Sequence, residues 1–461
     1  MNLPDSFLEL IKSQGIPDPE GFEQAHHVPP RSAFRRNPAK WNPAWDPFFG
    51  GTVLPWCPCG SVTSNKTFAH HPAFHTGALY VQEASSQFLW FVLESLFPSD
   101  KPRPPLLIVD LCAAPGGKST LAASWKQNDD LLIALENQST RLPALEENIL
   151  KWGRSGVLVA GGPTYRWELM PGQADVVIAD VPCSGEGLFR KDSAYVKNWR
   201  TALRKSCPAV QKKILQDATT ALKPGGFLIY STCTYNPEEN ILQMARLTRQ
   251  GWLCVTPGTP SAWNLELQEQ DGARGWQFYP HRQPGEGFFI SVLQKPGEPK
   301  TSEQDNSPKS KKKHATPHGR REKKMPKSLN LPDYLEPYEY QGHYYAVPKM
   351  WLPLIDSLTE VFKILLPGVP LGTWRREKWE WHTAVGHCPE LALDIPFMEV
   401  DYSQAVRYLA CQTLDLRLEG PTLLRWEGVN LGLAKSVPGR PFVSLYPASW
   451  RLRRLPPGIQ T

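Results

Sequence analysis

The chain has 461 residues, a formal charge of +6, 41% hydrophobic residues and 17 Trp, which supplies apolar material for about three domains of ordinary size. No apolar run approaches the ~20 residues of a membrane span, and the opening MNLPDSFLELIKSQG carries no apolar block behind a basic start, so neither a membrane anchor nor a secretory signal is expected. Nine cysteines without a disulfide-like spacing point to a reducing, cytoplasmic setting. The segment Gly297–Asn330 holds ten Lys/Arg against four Asp/Glu, so the entire excess of positive charge lies there. Any nucleic-acid surface on the folded parts must therefore come from local patches.

Taken in order, the chain opens with an amphipathic helix over Phe7–Lys12. The stretch Arg31–Arg36, followed by Lys40 and Trp41, mixes cations with aromatics, which suits either a surface for single-stranded nucleic acid or a solvated loop. Cys57-Pro-Cys59 lies near His70, His71 and His75, but its C-x-C spacing is not the C-x₂₋₄-C of zinc sites, and no metal is expected. Tyr80–Phe97 reads as a helix with Val81, Ala84, Phe88, Phe91 and Val92 on one face. From Leu106 onward strand and helix patterns alternate, with strands at 106–110, 131–135, 156–160, 175–179 and 226–230 and helices at 119–126, 139–152 and about 208–222. Such alternation predicts a parallel sheet covered by helices on both faces.

A closing strand is expected within Gly285–Gln294, then a flexible basic linker, then a small, mostly β region. That region has helices over Trp351–Leu366 and Ser403–Ala410. The boundaries so drawn are 1–78 for an N-terminal α+β segment, 79–296 for the α/β domain, 297–330 for the linker and 331–461 for the β-rich module.

Four stretches carry chemistry. In LLIVDLCAAPGGKSTLA a buried strand ends at Asp110, turns through Cys112-Ala113-Ala114-Pro115-Gly116-Gly117-Lys118, and opens a helix at Ser119. The two glycines let backbone approach a ligand, and the helix start offers free N–H groups. The spacing is neither G-x-G-x-x-G nor G-x-x-x-x-G-K-[ST], so the usual phosphate-binding readings lose their basis. Glu136 ends the next strand, nineteen positions beyond Gly117, where an acid accepts hydrogen bonds from ribose hydroxyls. Asp180-Val-Pro-Cys-Ser-Gly-Glu-Gly187 and Ser231-Thr-Cys-Thr-Tyr-Asn-Pro-Glu-Glu-Asn240 then place Cys183 and Cys233 at two strand ends on the same sheet edge. A single cysteine is commonly packing; two at the ligand rim point to chemistry.

D-L-C-A-A-P-G-G-K, D-V-P-C-S-G-E-G and S-T-C-T-Y-N-P-E-E-N, in that order over residues 75–295, resemble the RNA 5-methylcytosine methyltransferases of the NOL/NOP/Sun family. With Tyr80-Val-Gln-Glu-Ala-Ser-Ser86 upstream, the layout is similar to the bacterial small-subunit rRNA methyltransferase F branch, in which a PUA-like RNA-binding module follows the catalytic domain. The resemblance implies a Rossmann-like fold using S-adenosylmethionine, an RNA-positioning N-terminal segment, and RNA affinity from the linker and C-terminal module. It assigns the nucleophile to Cys233, resolution of the covalent adduct to Cys183, and a contact with the cofactor's methionine end or the cytosine edge to Asp180. Cys112–Lys118 would cradle the cofactor, with Glu136 on its ribose. The expected substrate is small-subunit rRNA or the ribosomal subunit, met by a monomer without an obligate protein partner. A tRNA or DNA cytosine-5 methyltransferase, or a non-catalytic RNA-binding assembly factor, are the competing readings. One departure stands out: the family places an Asp after the third strand, near the adenine, and here Gly161 occupies that position.

Overall fold

The computed structural model describes residues 3–199, 201–298 and 325–459. Most of the expected basic linker, 297–330, lies outside the described residues. At the centre is a ten-stranded mixed sheet. Its parallel strands are β1 (Leu107–Asp110), β2 (Leu131–Glu136), β3 (Val157–Gly161), β4 (Ala174–Asp180) and β5 (Leu222–Thr232). Leu107–Val109, Leu131–Leu135 and Val176–Ala179 are buried throughout, as expected for strands covered on both faces. The helices that cover them include α1 (Gly117–Trp125), α2 (Leu142–Trp152) and α3 (Thr201–Ala221).

Strand order fixes where a ligand can go. The sheet runs β5-β4-β1-β2-β3, so β1 has the next strand in sequence, β2, on one side and β4 on the other. The connections leaving β1 and β4 diverge at that point and open a crevice at the carboxyl edge. The loop after β1 and Asp180 at the end of β4 flank it. β6 (Phe288–Gln294) joins β5 antiparallel, followed outward by Ala273–Phe278 and Glu266–Gln270.

Beyond β3 the sheet gains β7 (Lys363–Leu366), antiparallel, from the C-terminal region. The expected helix over Trp351–Leu366 therefore stops early: it spans Leu352–Val361 and gives way to this strand. Its Ile-Leu-Leu run suits either state, and an unfilled edge beside β3 decides for strand. Tyr80–Phe97 is likewise not one helix. Leu79–Val81 is a strand, Ser85–Phe88 a 3₁₀ turn and only Leu89–Leu96 an α-helix. Glu83 explains the break, because its carboxylate accepts from the N–H groups of Ser85, Ser86 and Glu286 and fixes a bend where a helix would run on.

The N-terminal sheet comprises Thr52–Leu54, Cys57–Thr63, Ser32–Arg36 and Leu79–Val81. Arg35 and Lys40 are turned inward and so belong to neither a nucleic-acid surface nor a solvated loop, while Arg31 stays exposed. The Arg35 guanidinium is fully buried, donates to Gln82 Oε1 (2.6 Å), Thr120 Oγ1 (2.6 Å) and Gly117 O (3.0 Å), and lies over the Trp152 ring at 4.8 Å. Arg36 pairs with Asp46 and packs on Trp41. Lys40 donates to the carbonyls of Thr76 and Lys151, closing the end of α2, and burial lowers its pKa to about 7. The N-terminal segment thus braces the Gly-rich loop from behind. Cys57 and Cys59 lie buried with sulfurs 3.5 Å apart, while His71 packs among the rings of Trp45, Phe48 and Phe49.

Two further sheets, Leu335–Tyr340 to Trp381 and Phe397–Glu399 to Ser444, make the C-terminal region β-rich, and Tyr402–Leu409 forms its expected helix. Trp426 stacks on Trp45 at 5.6 Å, joining it to the N-terminal segment. Among the described residues no helix is long and apolar enough to cross a membrane.

A lysine cannot reproduce Arg35's forked donation to three acceptors. Arg35→Lys is expected to lower stability by ~1–3 kcal/mol, read as a shift of the urea midpoint at unchanged m.

Candidate active site

The loop after β1 is shaped by Gly116, whose φ of +114° at the N-cap of α1 is closed to residues with a Cβ. Gly117 starts the helix two residues before the expected Ser119. The loop carbonyls are held from outside: Asn148 Nδ2 donates to Pro115 O at 2.8 Å and Arg141 Nη2 to Ala114 O. Asp110 at the strand end accepts from Ser119 Oγ (2.6 Å), and burial raises its pKa to about 7.

A cavity of about 380 Å³ opens beside this loop, within the ~300–1,000 Å³ range of small-molecule sites. Cys112, Ala113, Ala114, Pro115, Gly117 and Lys118 form one wall; Asp180, Cys233, Glu286 and Phe288 face them. Bare backbone on one side and a fixed carboxylate on the other suit a cofactor with a polar, zwitterionic end, so the residues present fit S-adenosylmethionine. Asp180 is fixed at both oxygens, Oδ1 by Ser231 Oγ (2.8 Å) and Oδ2 by Lys118 Nζ (2.7 Å). Lys118 also lies 5.1 Å from the centre of the Phe288 ring.

Glu136 stands apart from the cavity lining. It is 3% exposed, accepts from Gln138 N (2.8 Å) and Ala114 N (3.3 Å), and pairs with Arg141 at 3.3 Å. The acid therefore touches the Gly-rich loop directly, with Arg141 across it.

The two cysteines meet. Cys183 Sγ and Cys233 Sγ are 3.2 Å apart, and Cys233 N approaches Cys183 Sγ at 3.4 Å. Cys233 lines the cavity; Cys183 sits behind it. The neighbouring sulfur and burial hold the Cys183 thiol well above its ordinary pKa.

Sequence reasoning missed the groups that hold these turns. Glu186 is buried and accepts from Thr234 Oγ1 (2.9 Å), Tyr235 N (3.2 Å) and Trp199 Nε1 (3.2 Å), and it pairs with Arg204 at 3.1 Å. Glu239 accepts from Ser184 N (2.9 Å), Gln211 Nε2 (3.0 Å) and Asn236 Nδ2 (2.8 Å). Each carboxylate thus ties one cysteine turn to the other. The signal was in the motifs themselves, which carry an acid three residues after Cys183 and another six after Cys233.

A Rossmann-type α/β fold is the class this sheet order and loop define, and comparison with known proteins finds methyltransferases. The family model for 16S rRNA methyltransferase RsmB/F matches residues 98–294, and that for the N-terminal domain of 16S rRNA methyltransferase RsmF matches residues 3–84. Residues 3–84 and 98–294 are thus similar to this family. Ribosomal RNA small subunit methyltransferase F of Aeromonas salmonicida (strain A449) is 33% identical over 259 residues, 53% of this chain and 52% of that protein. The protein of the same name from Vibrio parahaemolyticus serotype O3:K6 is 36% identical over 261 residues, 52% of each chain. The matched stretch thus spans about half the length of these relatives. Among solved structures, a methyltransferase homolog protein from Pyrococcus horikoshii is 26% identical, with TM-score 0.50, covering 64% of this chain and 100% of that one. NSun6 from Pyrococcus horikoshii, crystallised with SFG, shares the fold at 20% identity, TM-score 0.54, covering 64% of this chain and 99% of that one.

Two predictions follow from the buried carboxyls. Glu186→Gln leaves the Arg204 guanidinium buried without a counter-charge, which costs ~3 kcal/mol; chemical denaturation measures it. Burial raises Glu286 from its ordinary 4.5 to about 7, opposed by Arg190. Between these values the folded chain keeps a proton that the unfolded chain has released, so this contribution to stability is full below pH 4.5 and lost as pH rises through 7. Glu286→Gln is expected to flatten that part of the curve, read from denaturation midpoints at pH 5 and 7.

Proposed function

We propose that the chain transfers a methyl group from S-adenosylmethionine to C5 of a cytosine in RNA, through a covalent bond from Cys233 to C6. One observation carries this reading: Cys233 opens into the cavity beside the Cys112–Lys118 loop with a second sulfur 3.2 Å behind it. The match of residues 98–294 to the 16S rRNA methyltransferase RsmB/F model supports it, as does the NSun6 structure of the same fold with SFG. The substrate is small-subunit 16S rRNA, in keeping with the relatives' names, and the enzyme acts in the cytoplasm as a monomer.

Chemistry requires a nucleophile of this kind. C5 of cytosine is a weak nucleophile; addition of a thiolate at C6 makes C5 enamine-like. When bound, S-adenosylmethionine supplies the methyl group as an electrophile at its sulfonium. Cys112–Lys118 would cradle the cofactor, and Glu136, which holds this loop at Ala114 N from outside the cavity lining, would meet its ribose. Asp180, fixed by Ser231 and Lys118, meets the methionine end or the cytosine edge. After methylation the C5 proton passes to water, its bonding pair re-forms the C5–C6 double bond, and the C6–S bond breaks so that Cys233 leaves as thiolate, with Cys183 assisting this release. The target base must be unstacked to reach Cys233. The N-terminal segment positions the RNA. The charged linker and a PUA-like C-terminal module add affinity.

The cysteines test the scheme. With labelled 16S rRNA and S-adenosylmethionine, Cys183→Ala is expected to attack, methylate and stall, giving a shifted protein–RNA band on a denaturing gel. Cys233→Ala is expected to give neither band nor product. The reverse pattern moves the nucleophile to Cys183, as in the DNA-type enzymes, and activity in both variants reduces the pair to packing.

A further inference from the structure

In the reaction scheme above, on which this inference rests, departure of the C5 proton is the one step without a protein group. Once methylated, C5 is tetrahedral, and its proton must pass to an acceptor within hydrogen-bond reach or through one water. That acceptor has to face the cavity into which Cys233 opens. Cys183 does not, because its Sγ lies behind Cys233 and outside the lining. Three carboxyls do, those of Glu83, Asp180 and Glu286.

Two of them are fully engaged. Asp180 accepts from Ser231 Oγ at one oxygen and pairs with Lys118 at the other. Glu83 accepts from Ser85 N (2.8 Å) and Glu286 N (2.7 Å) at Oε1, and from Ser86 N (2.8 Å) at Oε2. Neither has an oxygen that can take a proton without displacing a donor. Glu286 is different. Among the described residues no donor hydrogen-bonds its carboxyl, and its ion-pair partner, Arg190 Nη1, stands 3.4 Å from an enclosed Oε2.

What fixes Glu286 is its backbone. Its N–H is held by Glu83, and its carbonyl accepts from Ser85 Oγ at 3.2 Å. The next residue, Gly287, packs so closely that a Cβ there would collide with the Tyr235 ring and with Gly187. Those two neighbours belong to the two cysteine turns. The carboxyl is therefore placed without hydrogen bonds of its own, and it can gain and lose a proton without breaking any. Burial raises its pKa to about 7, against Arg190 and Lys191 and with Glu83, and a general base poised near the working pH is the efficient one.

We propose that Glu286 is the acceptor of the C5 proton, reached through one water in the cavity. The C5–H bond breaks as water takes the proton and hands one on to the Glu286 carboxylate. The bonding pair re-forms the C5–C6 double bond, and the C6–S pair departs with Cys233 as thiolate. Solvent recovers the proton from Glu286 when the RNA leaves.

A single turnover on 16S rRNA carrying tritium at C5 of its cytosines, with radiocarbon in the methyl group of S-adenosylmethionine, separates this step from the earlier ones. Each methyl group transferred by the unmodified chain is expected to release one tritium. Glu286→Gln is expected to form the protein–RNA adduct and transfer methyl, with tritium release per methyl lowered about tenfold or more. Glu286→Asp, whose carboxyl is set back by one methylene, is expected to fall between the two. It becomes the deciding variant where Glu286→Gln no longer binds S-adenosylhomocysteine in isothermal titration. Tritium release that keeps pace with methyl transfer in the deciding variant overturns the assignment of Glu286. So does joint loss of adduct and methyl transfer in a variant that still binds S-adenosylhomocysteine, which is the mark of a role in RNA binding or attack. Both results leave the methyltransferase reading standing. Absence of methyl transfer and of tritium release with the unmodified chain overturns that reading and the assignment together.

Discussion

The site depends on two buried carboxylates beneath two reactive turns. A thiol pair at 3.2 Å requires that the ends of β4 and β5 be held to a fraction of an ångström, and turns at strand ends are where backbone is freest. Glu186 comes from the Cys183 turn and binds Thr234 and Tyr235 of the other; Glu239 comes from the Cys233 turn and binds Ser184 N in return. The exchange is reciprocal, so neither turn moves without breaking charge-assisted bonds in a low-dielectric interior. Arg204 neutralises Glu186, and Gln211 spans Glu239 and Pro182 O. Both come from α3, which makes that helix the floor of the candidate site as well as a cover for the sheet.

A second support comes from behind the Gly-rich loop. Arg35 is a buried cation whose Nε and Nη2 donate to neutral oxygens and whose guanidinium lies over the Trp152 ring, while Nη1 has no hydrogen-bond partner among the described residues. It reaches Gly117 and Thr120 at the start of α1, so the N-terminal segment sets the loop's position. The family model for that segment and the catalytic model match adjacent parts of one chain, and these contacts are the physical reason they work as a unit.

How much of this was legible in the sequence follows from the range of the forces involved. Continuous apolar runs ending in Asp110, Glu136 and Asp180 declare buried parallel strands locally, and the Gly116-Gly117 turn declares its own backbone. The alternation of strands and helices was therefore readable, and so were the cysteine turns. Tyr80–Phe97 misled because its apolar spacing fits a helix, while the bend is imposed by Glu83 hydrogen-bonding to Glu286 N, two hundred residues away. Arg35 and Lys40 read as a surface because cations usually are one. Their acceptors, Gln82, Thr120 and the carbonyls of Thr76 and Lys151, come from other elements. β7 gave no local sign at all. An edge partner is chosen by the unpaired side of β3, and a four-residue strand carries too little pattern to announce it.

Gly161 shows the two kinds of information meeting. From sequence it is a missing acid, which leaves either another contact to the adenine or a weaker cofactor site. In the fold its neighbours are Leu142 and, from β7 beyond the linker, Leu365. β7 pairs with β3, so the central sheet and the C-terminal region share one edge. A truncation before β7 would expose the outer side of β3 as an unpaired edge. The region that reads as an appended RNA-binding module is, at that edge, part of the catalytic sheet.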